Sequence, residues 1–132
     1  MTQTQEQEID RAKSEARAQV DSIVGLVALL HTEESDDKET ARDTIQEDPL
    51  SVEVRGGWHN PGQASDDREY FILLSTGGPA CRIIGELNQH HEPETARVEY
   101  QDWGTPWTEY RDTTADDDAA ILEYAQQFYF GE

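Results

Sequence analysis

The sequence predicts an α+β fold, in which a four-stranded antiparallel sheet packs against N-terminal helices and a C-terminal helix. Near both ends of the chain, apolar residues recur every three or four positions, which is the period of a helix with one buried face. Residues 50–101 instead contain short apolar runs separated by turn-forming residues, which is typical of antiparallel strands. No repeat or linker divides the 132 residues, so we expect a single domain: a helical part at 1–49, a sheet at 50–111 and a helix at 112–132.

Two helices are predicted before the sheet. The first covers residues 5–31 and has one apolar stripe, formed by Ile9, Ala12, Ala16, Val20, Ile23, Val24, Val27 and Leu30. Its second half, from Val20 to Leu30, is apolar nearly all round and should be well buried. The second begins at Ser35 and is stopped by Pro49. Its main apolar residues are Ala41 and Ile45, four positions apart, so we expect a short, exposed helix that is anchored by this pair.

Four strands are predicted in the middle of the chain. Val52 and Val54 alternate with polar residues in the first, and residues 96–101 alternate in the same way in the fourth, so both should be half-buried. Between them, residues 68–88 carry no net charge and read as a hairpin around Gly77-Gly78. The unbroken apolar run at 70–74 predicts a strand that is buried on both faces.

The last segment predicts a helix and a tryptophan cap. Three aspartates, Asp116 to Asp118, stand at the head of the C-terminal helix, where the helix dipole and free backbone amides favour negative charge. Trp103 and Trp107 interrupt the chain after the fourth strand, and two tryptophans this close are expected to cap one end of the core.

Composition excludes several classes of function. The chain has 29 acidic and 10 basic residues, a net charge of −19, which argues against direct binding to nucleic acid or to anionic lipid and favours basic partners. No apolar run is long enough to span a bilayer, and the polar N-terminus does not resemble a signal peptide, so a cytoplasmic protein is expected. The single cysteine, Cys81, excludes an internal disulfide and reads as a buried thiol.

Histidines are the main candidates for catalysis or metal binding. His59 lies in one polar loop, and His90 and His91 lie in another with Glu92 and Glu94 beside them. None of the usual ligand spacings is present, so we expect no metal, no cofactor and no catalytic residue. A small hydrolase that depends on His59 or His90 is the less favoured alternative.

The acidic surface is the strongest functional signal in the sequence. Most of the negative charge lies in residues 32–49 and 112–132. On a helix, acids three or four positions apart lie about 5–6 Å from each other, which is close to the spacing of successive phosphates. We therefore predict a phosphate-mimicking surface that binds a nucleic-acid-binding protein, with Trp103 and Trp107 adding apolar contact. The predicted acids are Glu33, Glu34, Asp36, Asp37, Glu39, Asp43, Glu47, Asp48, Asp112, Asp116, Asp117 and Asp118.

Three stretches, DREYFILLSTGGPACRIIGELN, ARVEYQDWGTPWTEYR and ILEYAQQFYFGE, resemble a group of small acidic proteins carried by phages and other bacterial mobile elements. The resemblance covers residues 50–132 and implies an anti-CRISPR or anti-restriction inhibitor acting as a nucleic-acid mimic. The acidic segment 32–49 lies outside it, so either the acids or the tryptophan-bearing edge is the working surface. The expected function is thus non-enzymatic inhibition of a host CRISPR effector or restriction enzyme. The alternative is an acidic interaction protein of a mobile element or of a salt-adapted host, without mimicry. The sequence is also compatible with a homodimer.

Overall fold

A computed structural model describes residues 5–32, 35–56, 61, 67–76, 79–102, 106–128 and 130. The helices are α1 (Gln5–Leu30), α2 (Ser35–Glu47) and α3 (Ala115–Ala125). The strands are β1 (Ser51–Gly56), β2 (Asp67–Ser75), β3 (Ala80–Glu86), β4 (Arg97–Gln101) and β5 (Thr108–Glu109). The strands form one antiparallel sheet in the order β1-β2-β3-β4-β5. The predicted α+β class with an antiparallel sheet is confirmed.

The predicted number of strands is wrong by one, because the described residues form a sheet of five strands where four were expected. The additional strand, β5, pairs Thr108 with Tyr100 and Glu109 with Glu99 of β4. A strand of two residues is too short to show an alternating pattern in a sequence. The hairpin prediction is confirmed as an antiparallel β2–β3 pair, whereas its turn residues Gly77 and Gly78 lie outside the described residues.

Both N-terminal helices form where the pattern predicts them. Five residues of the predicted stripe of α1 are buried, namely Ala12, Ala16, Val20, Ile23 and Val27, whereas Val24 and Leu30 are only partly buried. The side chain of Ile9 lies outside the described part of the chain. The expectation that the second half of α1 is buried nearly all round is wrong, because Leu29 is 42% exposed. α2 packs against α1, and its two anchors Ala41 and Ile45 are buried as expected. Although α1 has 26 residues, its apolar residues form only a stripe, and no helix in the described part of the chain is long and apolar enough to cross a membrane.

The helices cover one face of the sheet, which we call the helix face; the other we call the open face. The helix-face side chains of β3 and β4 are buried against α1 and α3, and they are Cys81, Ile83, Val98 and Tyr100. In β2, Tyr70, Ile72 and Leu74 are buried on the helix face, whereas Phe71 and Leu73 on the open face are only half-buried. The prediction that residues 70–74 are buried on both faces is therefore wrong, because no described helix covers the second face.

The C-terminal helix is shorter than predicted and ends at Ala125. It begins with a capping box: the backbone N–H of Asp117 donates to the Thr114 hydroxyl, and the backbone N–H of Thr114 donates to the Asp117 carboxylate. These two bonds satisfy donors that a helix N-terminus leaves without partners. Ile121, Tyr124 and Ala125 form the buried face of α3.

Candidate partner-binding surfaces

Four carboxylates form a line along the solvent side of α2, and we call them the acidic ridge: Asp36, Glu39, Asp43 and Glu47. Successive members are three or four residues apart, so they lie on one side of the helix with neighbours about 5–6 Å apart. All four are exposed, and at 3.6 residues per turn they lie opposite the buried anchors Ala41 and Ile45. The ridge runs for about 16 Å, given a rise of about 1.5 Å per residue.

The remaining predicted acids of this segment differ in their surroundings. Asp37 is exposed in the first turn of α2, beside the ridge. Asp48 is also exposed, but its carboxylate accepts a 2.7 Å hydrogen bond from the buried Tyr124 hydroxyl. Burial, reinforced by this carboxylate, raises the pKa of Tyr124 above its usual value, so the hydroxyl remains a donor. Glu33 and Glu34 lie outside the described residues.

At the head of α3, the four predicted acids differ in exposure and in their contacts. Asp112, Asp116 and Asp118 are exposed, and the Asp118 carboxylate accepts a 2.7 Å hydrogen bond from the Thr113 hydroxyl. The Asp117 side chain is only 14% exposed. It accepts the capping hydrogen bond and pairs with Arg17 of α1, so it contributes little charge to any contact surface.

Arg17 connects α1 to this acidic segment. Its guanidinium donates to Asp21 of the same helix at 2.6 Å and 3.0 Å, and to the Asp117 carboxylate and the Asp112 carbonyl at 3.2 Å each. Hydrogen bonding to Asp21, followed by that to Asp117, raises the pKa of Arg17. The cation therefore holds the start of α3 against α1 and neutralises part of the charge there.

The two acidic segments occupy different ends of α3. The end of α2 lies at the C-terminal end of α3, where the Gln46 side-chain amide donates to the Gln127 carbonyl at 2.6 Å. The aspartates of α3 lie at its N-terminal end, beside Arg17. Since Asp117 and Gln127 are ten positions apart, the two segments are separated by roughly 15 Å along α3.

Trp107 lies on the open face of the sheet, away from the acidic helices. The Arg82 guanidinium carbon lies 4.1 Å from the centre of its ring and 5.9 Å from the centre of the Phe71 ring, which is cation–π geometry. Arg82 also pairs with Glu99 at 2.7 Å. The predicted role of Trp107 as a cap on the core is therefore wrong, because Arg82 alternates with the buried Cys81 and Ile83 and points away from that core. Trp103 lies outside the described residues.

Sequence reasoning missed this cluster on the open face. Arg82 and Glu99 are 17 positions apart, and only the β3–β4 register, which pairs them directly, brings them together. A shallow cavity of about 160 Å³ on the same side is lined by residues that include Arg55, Phe71, Arg82 and Ile84. No signal in the sequence identified these residues, because cross-strand pairing depends on register.

The histidine prediction concerned two loops, of which one is described. His59 lies outside the described residues, whereas His90 and His91 line a cavity of about 360 Å³ with Phe128 and Phe130. The Asn88 carboxamide oxygen accepts hydrogen bonds from the backbone N–H groups of His90 and Glu92 and so holds this loop. Within the ranges that the structure covers, no three His, Cys, Asp or Glu side chains are grouped so as to hold a metal ion.

Comparisons with family models, with curated proteins and with solved structures find no match to this chain. The two candidate partner-binding surfaces, the acidic ridge and the Arg82 cluster, are therefore compared by the chemistry of their side chains. Carboxylates in a row accept hydrogen bonds and ion pairs from lysine and arginine, and the acidic ridge offers four of them on one exposed helix face. The Arg82 cluster is internally paired, so its charge is already used within the sheet.

Proposed function

We propose that this protein is a non-enzymatic inhibitor that occupies the nucleic-acid-binding surface of a basic protein or complex. The observation that carries the proposal is the acidic ridge of α2, with its four exposed carboxylates in line. The class of partner proposed is a host defence complex, such as a CRISPR effector or a restriction enzyme, in keeping with the resemblance of residues 50–132 to small mobile-element proteins.

The energetics of nucleic-acid recognition support a surface of this kind. Proteins that bind nucleic acid gain much of their affinity from Lys and Arg contacts to phosphates, a term that does not depend on base sequence. A rigid row of carboxylates can form the same ion pairs. The row of carboxylates also meets the arginines of the partner in a fixed geometry, because α2 is anchored on α1 through Ala41 and Ile45.

The net charge of −19 extends the effect beyond the contact itself. A strongly acidic protein is attracted to a positively charged channel at distances greater than the contact distance, which raises the association rate at low salt. The aspartates at the head of α3 add to this field. Trp107 has no part in the proposed contact, because it lies on the open face of the sheet.

The proposal is tested by capturing partners from a bacterial host lysate with the tagged protein. Captures at about 0.15 M and about 0.5 M NaCl are compared, each with and without a short DNA duplex as competitor. The Debye length is about 8 Å at the lower concentration and shorter at the higher one, so exposed ion pairs are weakened at the higher salt. We expect a nucleic-acid-binding complex to be retained at the lower salt, released at the higher salt and displaced by the duplex.

A matched pair of variants isolates the ridge from the total charge. The ridge variant carries Glu39→Gln, Asp43→Asn and Glu47→Gln, and the control carries the same charge change at exposed acids elsewhere, namely Glu86→Gln, Glu92→Gln and Glu94→Gln. We expect only the ridge variant to lose the complex. Equal capture by both variants, together with indifference to DNA, would contradict mimicry and favour an acidic interaction protein without it.

A further inference from the structure

The edge strand β1 presents an apolar row. In the strand order it stands at one end of the sheet, and the structure, as far as it describes the chain, pairs it only with β2. Leu50, Val52 and Val54 are 60%, 36% and 41% exposed, and they make up three of the four exposed large hydrophobic residues among those described. Apolar residues gathered at one place on a surface mark an interaction site more often than scattered ones do.

Strand register explains why these valines stay exposed. Val52 and Val54 pair with Ile72 and Tyr70, so they stand on the helix face of the sheet. α1 and α3 pack over β3 and β4, which lie two and three strands away from β1. The helix face of β1 is therefore left uncovered by α1 and α3. Among the strands that the structure describes, none pairs with the outer edge of β1, and the backbone groups of such an edge can accept a further strand.

The opposite side of β1 carries charges of both signs. Glu53 and Arg55 alternate with the valines and stand on the open face. If two copies of β1 pair antiparallel about a twofold axis through Val54, Glu53 of each copy lies opposite Arg55 of the other, and the two Val54 side chains meet. Cross-strand pairs of opposite charge and of apolar residues both stabilise a sheet.

Neighbouring registers lack this complementarity. A shift of the pairing by one residue would put the apolar row of one copy on the same face as the charged residues of the other. A twofold axis through Glu53 would place the two Glu53 carboxylates directly opposite each other, which is destabilising. A twofold axis through Val52 would pair Leu50 with Val54, but it would place Glu53 opposite Ser51 and Arg55 opposite Pro49, without opposite charges. Of these registers, the one centred on Val54 is the one that pairs Glu53 with Arg55.

We propose that β1 is a self-association edge, and that its occupant is β1 of a second copy of this chain in the register centred on Val54. A second copy fits better than a basic peptide, because it places an arginine opposite Glu53 and also a glutamate opposite Arg55, whose exposed guanidinium already pairs with Glu69 of its own chain. The acids of the helices oppose association only weakly, since charges more than about 8 Å apart are largely screened at physiological salt. The proposal does not depend on the proposed inhibitory function.

Cross-linking tests the register directly. In Val54→Cys the two introduced thiols would face each other, whereas the native Cys81 is fully buried and does not compete. We expect oxidation with copper phenanthroline to link the Val54→Cys chains into dimers, because directly opposed strand residues bring their Cβ atoms close to disulfide distance. Leu29→Cys, at an exposed position on α1, is the control and should stay monomeric.

Charge exchange tests the pairing without a covalent bond. Glu53→Arg and Arg55→Glu each place like charges opposite one another in the dimer, so each should raise the dimer Kd about tenfold or more in sedimentation equilibrium. The double exchange restores opposite charges and should restore the Kd. Thermal melts establish that each variant is folded, since Arg55→Glu also removes the ion pair with Glu69. The proposal would be overturned if the wild-type chain stayed monomeric at every concentration used in sedimentation equilibrium. It would also be overturned if neither single exchange changed the Kd of the dimer.

Discussion

A guanidinium nitrogen of Arg17 lies 3.2 Å from a carboxylate oxygen of Asp117. The contact joins the middle of α1 to the first turn of α3, and the same carboxylate completes the capping box with Thr114. Asp117 therefore joins α1 to α3, whereas the Asp118 carboxylate accepts a local hydrogen bond from the Thr113 hydroxyl and Asp116 is exposed. The row of three aspartates is uniform in the sequence, but its members differ in what they do.

Asp117→Asn should lower the free energy of unfolding by about 1 kcal/mol, because it removes a charge-assisted contact to a partly buried arginine. Urea denaturation at pH 7 measures the loss. Asp112→Asn makes the same charge change at an exposed residue outside the helix and should have little effect. Equal effects of the two substitutions would mean that net charge, and not the contact, determines stability here.

The pH dependence of the same variant follows from the Asp117 pKa. The hydrogen bond from the Thr114 backbone, followed by the contact with Arg17, holds the pKa of this carboxyl below its usual value. A depressed pKa contributes stability above the unfolded-state value of about 4, and this contribution is lost as pH falls through the folded-state value. The gap in stability between wild type and Asp117→Asn should therefore be full at pH 7 and close in acid. A gap that persists at pH 2 would contradict this account.

Two glycines should respond in opposite ways to alanine. A Cβ at Gly85 would lie 2.0 Å from the Thr95 carbonyl oxygen and 2.8 Å from the Tyr70 hydroxyl, where no side chain fits. Gly85→Ala should therefore destabilise the sheet by several kcal/mol, on the order of other overpacked sites. Gly25 is exposed within α1 and has open space around it, so Gly25→Ala should stabilise by about 0.5–1 kcal/mol. Thermal melts of both variants give the comparison, and a tolerated Gly85→Ala would show that this part of the sheet rearranges.

Cys81 should be chemically inert in the folded protein. Burial, with the Glu15 carboxylate adding to it, raises the pKa of the Cys81 thiol to about 12, so almost none of the reactive thiolate forms at pH 8. We expect a disulfide reagent such as DTNB to label the native chain far more slowly than the chain in guanidinium chloride. Leu29→Cys supplies an exposed thiol as a positive control. Rapid labelling of the native wild type would show that β3 opens readily.

Much of the fold could be predicted because local pattern determines it. The buried stripe of α1 and the Ala41–Ile45 anchor of α2 follow from helical spacing alone. β5 could not be predicted, because its two residues are a strand only through pairing with β4. Residues 70–74 were misjudged for a related reason: apolar side chains show that a strand is hydrophobic, but not whether a second layer covers its other face.

Part of the candidate surface could also be predicted from local spacing, and part could not. The acidic ridge follows from residue spacing once Ala41 and Ile45 define the buried side of α2. The structural role of Asp117 was marked by Thr114 three positions before it, since this spacing resembles that of a capping box. The position of Trp107 beside Arg82 could not be predicted, because 25 residues separate them and only the sheet register brings them together.

Asp43 provides a test of what the acidic ridge costs the protein. It has Glu39 four positions before it and Glu47 four positions after it, and its neighbours at three positions, Thr40 and Gln46, are uncharged. Like charges four apart on a helix destabilise it by about 0.2–0.5 kcal/mol per pair. Asp43→Asn should therefore raise the free energy of unfolding by roughly 0.4–1 kcal/mol at low salt, and the gain should shrink at 0.5 M NaCl because screening weakens both repulsions.

Glu94→Gln is the control for this prediction, since it removes an exposed acid outside the helices. If Asp43→Asn stabilises the chain and also weakens partner capture, the ridge reduces stability while serving an interaction, which is a common relation between a binding surface and the fold that carries it. If Asp43→Asn instead destabilises the chain, its carboxylate makes a supporting contact. Some of the carboxylates in the acidic ridge would then be present because they stabilise the fold, and the argument for mimicry would be weaker.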